Sequence, residues 1–275
     1  MSLVLTGATS QIGHFLRPRL AQRQTQVTAI SRKPQTAGLA NETWLQTDLA
    51  SGLIAATLPQ ADALVSFGPL DNLGHWLDAQ AQLPFKRVIV TSSMSVLSKA
   101  TSDDAVERAL VARLQAGEAA VQQTCERLGI AWTILRPTLI YGAGLDKSLT
   151  PIARRAMRTR LFPIPMAQGL RQPVHADDIA QAVIAALEGQ ADNLVVQVGG
   201  GERLPYHQMF RRVRDSLPVA TLPVFVPHAA LRALTRLKPG LRGPVSRLDV
   251  DLVADNTILR ERLGVTPRAF LPSFD

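Results

Sequence analysis

Thr6-Gly7-Ala8-Thr9-Ser10-Gln11-Ile12-Gly13 follows directly on a short apolar run of β type, Ser2–Thr6. It opens a segment whose apolar residues, Leu16, Leu20 and Ala21, fit helical spacing. A glycine at a strand end permits a turn that a side chain would block. A second small position lets backbone approach a pyrophosphate, and a last glycine lets the helix pack on the strand. Gly7 and Gly13 hold the first and last of these places and Ser10 holds the middle one. The start of a helix adds free N–H groups and a positive dipole end, which suit phosphate. Strand, loop and helix in this order predict a dinucleotide site across Gly7, Thr9, Ser10, Gln11, Ile12 and Gly13. A plain structural turn is the alternative.

The same rhythm continues outward from the loop. Residues 26–31, 43–47, 61–67 and 87–92 read as further strands, each flanked by turn chemistry or by helical periodicity. Asp104 and Glu107 fit the capping box of a long helix that runs to about Leu128, where Gly129 stops it. Residues 130–135 form a sixth strand. Alternation of this kind predicts an α/β fold, a doubly wound parallel sheet covered on both faces. After Arg136-Pro137 the pattern loosens. One clear helix lies around 151–160, and His175-Ala176-Asp177-Asp178 opens another over 179–187, its acids suiting the helix dipole. Residues 193–198 read as a late strand and 205–217 as a helix, with proline-punctuated helix and turn beyond. The expected division is a nucleotide-binding domain of 1–142 plus part of 173–200, and a small C-terminal cap of 143–172 and 201–275.

Composition narrows the function classes. The 275 residues are 46% hydrophobic and 19% charged, which is globular composition and enough chain for a large core. A single cysteine, Cys125, excludes a disulfide framework, and no Cys/His cluster has metal-ligand spacing. No basic stretch precedes the first apolar run, so a signal peptide is not expected, and no segment has the length of a membrane span. A cytoplasmic protein is the expectation. The net charge is +8, yet the cations are dispersed apart from Arg154, Arg155, Arg158 and Arg160, and aromatics are 5%. That is too few for a base-stacking platform, so nucleic acid is not an expected partner.

The end of the second strand bears on which dinucleotide is held. An acid there would read the ribose 2′-hydroxyl of NAD. The chain has Ser31-Arg32-Lys33, a hydroxyl and two cations where a 2′-phosphate would lie, so NADP(H) is expected in preference to NAD(H). An ordinary surface Arg-Lys pair is the bland reading. Asp48-Leu49, after the third strand, suits the adenine edge, and a helix cap for Asp48 fits equally.

At this point the chain resembles the short-chain dehydrogenase/reductase superfamily, on its extended or atypical branch of NAD-dependent epimerase/dehydratase proteins. The carriers are TGATSQIG at 6–13, VIVTSSMSV at 88–96, ILRPTLIYG at 134–142, RQPVHADDIAQAV at 171–183 and LGVTPRAF at 263–270. The resemblance implies a Rossmann domain with a small substrate-binding C-terminal domain. It implies that Phe67-Gly68-Pro69 flank the cofactor, that Ser92 and Ser93 lie beneath the nicotinamide, and that Pro137-Thr138 lie beside its carboxamide.

One departure from the family stands out. Its acid/base pair is a Tyr followed four residues later by Lys on the long helix, where the ammonium lowers the phenol pKa. Counting back from Glu118, which resembles the family's helix glutamate, those places hold Leu110 and Leu114. Neither of the chain's two tyrosines, Tyr141 and Tyr206, has a lysine four residues on. Ser93 and Tyr141 are the expected catalytic candidates, with His75 and Lys99 as weaker ones. His175 and Asp178 read as scaffolding. Two readings follow. One is a reductase or epimerase-like enzyme acting on a small substrate, hydrophobic in preference to a sugar, with a cavity walled by Phe67, Ser93, Pro137 and Tyr141. The other is a non-catalytic NADP(H) sensor or accessory subunit. A third expectation, peripheral membrane contact, rests on residues 228–241, where Arg232, Arg236 and Lys238 interleave with Leu231, Leu234 and Leu237.

Overall fold

The computed structural model describes residues 1–35, 38–49, 53, 55–237 and 242–274. The first half runs β1 (Ser2–Thr6), α1 (Gln11–Gln22), β2 (Gln26–Ser31), β3 (Glu42–Gln46), β4 (Ala63–Ser66), α2 (Leu70–Asp78), β5 (Arg87–Thr91), α3 (Ser95–Ser98), α4 (Ala105–Leu128) and β6 (Ala131–Pro137). The second half runs β7 (Ile140–Tyr141), α5 (Leu149–Thr159), β8 (Leu161–Pro165), β9 (Leu170–Arg171), β10 (Val174–His175), α6 (Ala176–Leu187) and β11 (Leu194–Val198). It ends with β12 (Leu204–Pro205), α7 (Tyr206–Asp215), β13 (Leu222–Val226), α8 (His228–Leu237), α9 (Arg242–Ser246) and α10 (Thr257–Glu261). Of the segment expected to touch a membrane, α8 is helical; Lys238 to Leu241 lie outside the described residues.

Seven strands form one parallel sheet in the order β3-β2-β1-β4-β5-β6-β11. Alternate side chains of its central strands feed two cores. Leu3, Leu5, Ala63, Val65 and Ile89 pack with Ile12 and Leu16 of α1 and Ile179 and Val183 of α6. Val4, Leu64, Val88 and Val90 pack on the other face with Leu70, Leu73 and Leu77 of α2 and Val121 and Cys125 of α4. Burial pushes the Cys125 thiol up to about 12, so it behaves as a small apolar residue. This is the doubly wound Rossmann arrangement. Its chain reverses direction across β1 and β4, which opens a crevice at their C-terminal ends.

The long helix begins and ends as expected, with one difference. The Asp104 carboxylate accepts from the Val106 N–H at 2.8 Å, and Gly129 adopts φ +65° as the stop. Glu107 does not close a capping box. It accepts from the Ser102 hydroxyl at 2.7 Å, lies 3.4 Å from Lys99 Nζ and pairs with Arg247, because the C-terminal part of the chain folds over this turn.

A third core gathers Tyr141, Leu149, Phe162, Ile164, Met209, Phe210 and Phe270 from β7, α5, β8, α7 and the C-terminal segment. β8 and β13 are strands that the proline-punctuated sequence does not predict. They pair in parallel, with Leu222 opposite Leu161, despite prolines at 163, 165 and 223. Arg171, Gln172 and Asn256 stitch this half together. The Arg171 guanidinium donates to the carbonyls of Arg247 and Val250, both at 2.8 Å. Gln172 donates to the Gly200 carbonyl and accepts from the Ala254 N–H, and Asn256 accepts from the Gly199 N–H, all at 2.8 Å.

The start of α6 joins the halves. His175 caps it by accepting from the Asp177 N–H at 3.1 Å. Asp177 accepts from Arg19 of α1 at 2.7 and 2.8 Å and from Arg268 at 2.6 Å, while Asp178 holds Arg268 at 2.8 Å. Burial alone would raise the Asp177 carboxyl, but the hydrogen bonds from Arg19 and Arg268 outweigh it and hold it at about 2. A carboxyl depressed in the folded state stabilises fully above its unfolded pKa of about 3.9 and loses that contribution as pH falls through its folded value. Asp177→Asn is therefore expected to lower stability at neutral pH by about 1–2 kcal/mol after allowance for solvent screening. Thermal unfolding should show the gap between the two proteins closing between about pH 4 and pH 2.

Candidate functional site

A cleft of about 500 Å³ occupies the crevice beyond the ends of β1, β2 and β4. Thr6, Gly7 and Thr9 form its floor, Ser31, Arg32 and Lys33 close one end, and Asp48 and Leu49 flank it. Ser66, Gly68, Pro69 and Asn72 form the remaining wall. The loop geometry follows from its small residues. Gly7 sits at φ +70°, and a Cβ there would lie 3.0 Å from Phe67. At Gly13 a Cβ would come within 2.2 Å of the Ala8 carbonyl oxygen, so only glycine lets α1 start against β1. Ser10 occupies the middle place as the helix cap. Its N–H donates to the Gly7 carbonyl at 2.8 Å, and its hydroxyl accepts from the Gly13 N–H at 3.1 Å. The N–H groups of Gln11 and Ile12 begin the helix without intrahelical acceptors, while the Ile12 side chain is buried in the core. The Gln11 side-chain amide nitrogen is buried with no protein partner, an orphan donor beside the loop.

At the β2 end the Ser31 hydroxyl accepts from the Lys33 N–H at 3.2 Å, which turns the chain so that Arg32 and Lys33 stay exposed at the cleft. The Thr47 N–H donates to the Ser31 carbonyl at 3.1 Å and brings Asp48 and Leu49 alongside. Thr6 and Ser66 share a hydrogen bond of 2.8 Å across β1 and β4. These groups fit a dinucleotide: unpaired helix-start donors for a pyrophosphate, cations and a hydroxyl at the ribose end, and an apolar edge at Leu49. Thr47, Ser66 and Asn72 also line the cleft, and no motif in the sequence marks them.

The other end is furnished differently. Phe67 is half-buried and packs on the sheet core. The Ser92 N–H donates to the Leu135 carbonyl at 2.7 Å, and its hydroxyl is buried without a protein partner. The Met94 N–H donates to the Pro137 carbonyl at 2.9 Å, so the ends of β5 and β6 are tied side by side. Behind them Glu118 of α4 grips Arg136 through two bonds of 2.9 and 2.5 Å. Ser93 is spent locally: its hydroxyl donates to Ser95 Oγ and accepts from the Ser95 N–H, both at 3.1 Å. Leu110 and Leu114 are half-buried on α4.

Tyr141 does not reach this cleft. It is 3% exposed, and its hydroxyl donates to the Ala269 carbonyl and accepts from the Leu271 N–H, both at 3.2 Å. Its ring packs edge-on against His175 and Phe270. Burial raises its phenol further from neutrality, which argues against proton transfer. The Tyr141 hydroxyl, expected as a catalytic candidate, is engaged by residues 269–271 of the C-terminal segment. His75 lies within α2, exposed and bonded through Nδ1 to the Asp71 carbonyl at 2.8 Å. Lys99 is held against Glu107, and burial together with Arg247 lowers its pKa. Among the described residues no group of three or more His, Cys, Asp or Glu is placed to hold a metal.

Three solved structures show the same fold. MoeE5, solved with UDP-glucose and NAD, superposes with a TM-score of 0.74 at 19% identity, covering 98% of this chain and 95% of that one. A UDP-glucuronic acid 4-epimerase from Bacillus cereus gives 0.73 at 15%, covering 98% and 95%. A UDP-glucose 4-epimerase from Thermotoga maritima gives 0.71 at 16%, covering 97% and 94%. No curated protein matches the chain. At these identities the likeness is one of fold. A family model described as NAD(P)H-binding matches residues 7–190, from the glycine loop to the end of α6 and about two thirds of the sequence, so the chain belongs to that NAD(P)H-binding family.

Proposed function

We propose that the protein binds NADP(H) in preference to NAD(H) and uses it in a reductase or epimerase-like reaction on a small, largely apolar substrate. The observation that carries this reading is the ribose end of the cleft. Ser31, Arg32 and Lys33 line it, and no acid stands at the end of β2. In this reading Gly7, Thr9, Ser10, Gln11, Ile12 and Gly13 surround the pyrophosphate, with Asp48 and Leu49 at the adenine. Phe67, Gly68, Pro69, Ser92 and Pro137 border the nicotinamide half, where the unpartnered Ser92 hydroxyl supplies a donor, and the unpartnered Gln11 amide supplies one by the loop. The bound cofactor supplies or accepts hydride.

The protein's own contribution is positioning. Leu110 and Leu114 make the α4 side of the substrate space apolar and dry, which strengthens orientation but offers no proton. Ser93 is the remaining polariser. A substrate carbonyl would have to take over the hydrogen bond that its hydroxyl now gives to Ser95. Residues 143–172 and 201–275 form the cap over that space. A UDP-sugar, as bound by the solved neighbours, suits this apolar face poorly. A second reading is a non-catalytic NADP(H) binder. It is favoured by the engagement of the Ser93 and Tyr141 hydroxyls in the protein's own bonds.

Three outcomes are expected. NADPH should bind about ten- to a hundredfold more tightly than NADH in a fluorescence titration, because one charge-assisted phosphate contact is worth about 1.5–3 kcal/mol. Arg32→Ala should remove most of that preference, and equal affinities in the unmutated protein would overturn the assignment. Gly13→Val should weaken binding of either cofactor by at least about tenfold, since its side chain must push the Ala8 carbonyl aside. An NADPH-consumption screen of quinones, ketones and enones should find turnover, while 4-epimerisation of a UDP-hexose should be absent or very slow. NADPH binding without turnover of any of these would favour the non-catalytic reading.

A further inference from the structure

The strand pair β8–β13 has an outer face built only of apolar side chains. In parallel register, Leu161, Pro163 and Pro165 lie beside Leu222, Val224 and Val226 on that face. The opposite side of β8 buries Phe162 and Ile164 in the third core. A sheet face left in water ordinarily alternates to polar residues. This one does not: Leu222 is 69% exposed, Leu161 49% and Val224 43%. Contiguous apolar surface of this kind marks a docking site.

Charge indicates the occupant. The two segments that supply these strands, residues 147–176 and 216–248, contain eleven of the chain's thirty Lys and Arg and none of its 22 Asp and Glu. The positive excess of the whole protein, +8, therefore resides in them, and the rest of the chain is slightly acidic. Arg171 is buried over the Tyr206 ring and Arg247 pairs with Glu107, but Arg155, Arg158, Arg160 and Arg232 are exposed. Arg160 immediately precedes Leu161, and its carbonyl accepts from the Leu222 N–H at 2.8 Å. Asp215, just before the second segment, lies 3.6 Å from Arg214, and Asp249, just after it, lies 3.4 Å from His228. α8, which leaves β13 through Pro227, adds Arg232 to a helix without an acid.

We propose that this face docks on an anionic lipid surface. Leu161, Leu222 and Val224 enter the interface, and the arginines meet the headgroups. Apolar burial and cation attraction act together in such contacts, and neither alone anchors firmly. A second copy of the chain fits the face less well. It would bring the same arginines together, and Pro223, lacking an N–H, leaves Phe225 as the one donor on the open edge of β13.

The test is co-sedimentation of the full chain with vesicles. One set is phosphatidylcholine alone, and the other is phosphatidylglycerol and phosphatidylcholine in equal parts. Binding is expected to the anionic set and not to the neutral one. Val224→Glu should reduce it at least about tenfold with the melting temperature unchanged. Leu222→Ser, at the more exposed position, serves where Val224→Glu alters folding. Arg158→Glu with Arg160→Glu should also reduce binding. No sedimentation with anionic vesicles would overturn the proposal, as would binding indifferent to Leu222 and Val224. A dimer in solution that Leu222→Ser dissociates would overturn it in favour of a second copy.

Discussion

A strand that is apolar on both faces has to be covered twice, and β1 is such a strand. Leu3 and Leu5 face one core and Val4 the other, all at 1% exposure or less. Covering both sides obliges the chain to lay α1 and α6 on one face and α2 and α4 on the other. It therefore builds outward from β1 in two directions, through β2 and β3 and then through β4, β5 and β6. The crevice between β1 and β4 is the geometric residue of that reversal. The cleft, the glycine loop above it and the cations at the end of β2 are all placed by the need to bury Leu3, Val4 and Leu5.

The two ends of the site differ in how they are held, and this explains how much of each could be read from sequence. The cofactor end is local. Gly7, Ser10 and Gly13 bond and pack within eight residues of one another, and Ser31 turns its own neighbour Lys33. Local chemistry is legible because the loop's requirements are written in consecutive residues. The other end depends on distant chain. Tyr141 looks like a candidate because it follows the Arg136-Pro137 loop, yet residues 269–271, far along the sequence, claim both sides of its hydroxyl. Ser93 looks like a free polariser until Ser95 is seen to fold back on it.

The second half shows a different limit. Prolines at 163, 165 and 223 read as breakers, and in a central strand they would be. Here the two strands stand apart from the main sheet. Leu222 and Val226 use their own backbone groups toward β8, bonding Arg160 and Met166, while Pro223 faces the open edge and loses nothing. The alternation of buried Phe162 and Ile164 with exposed Leu161 and Pro163 is a strand signal with period two. Proline masked it.

Glu107 connects these observations. It lies one turn before Leu110 on α4, is 8% exposed and cannot stay charged there unaided. Ser102 donates to it, Lys99 stands 3.4 Å away and Arg247 reaches in from beyond α9. Removing either cation would leave a buried charge short of compensation, a costlier state than never having built the cluster. The turn of α4 beside the two leucines is thus roofed by the C-terminal half through an ionic contact. Leu110 and Leu114 carry no ionisable group and Glu107 is fully engaged, so this stretch of α4 is fixed by its ionic contact with the C-terminal part of the chain.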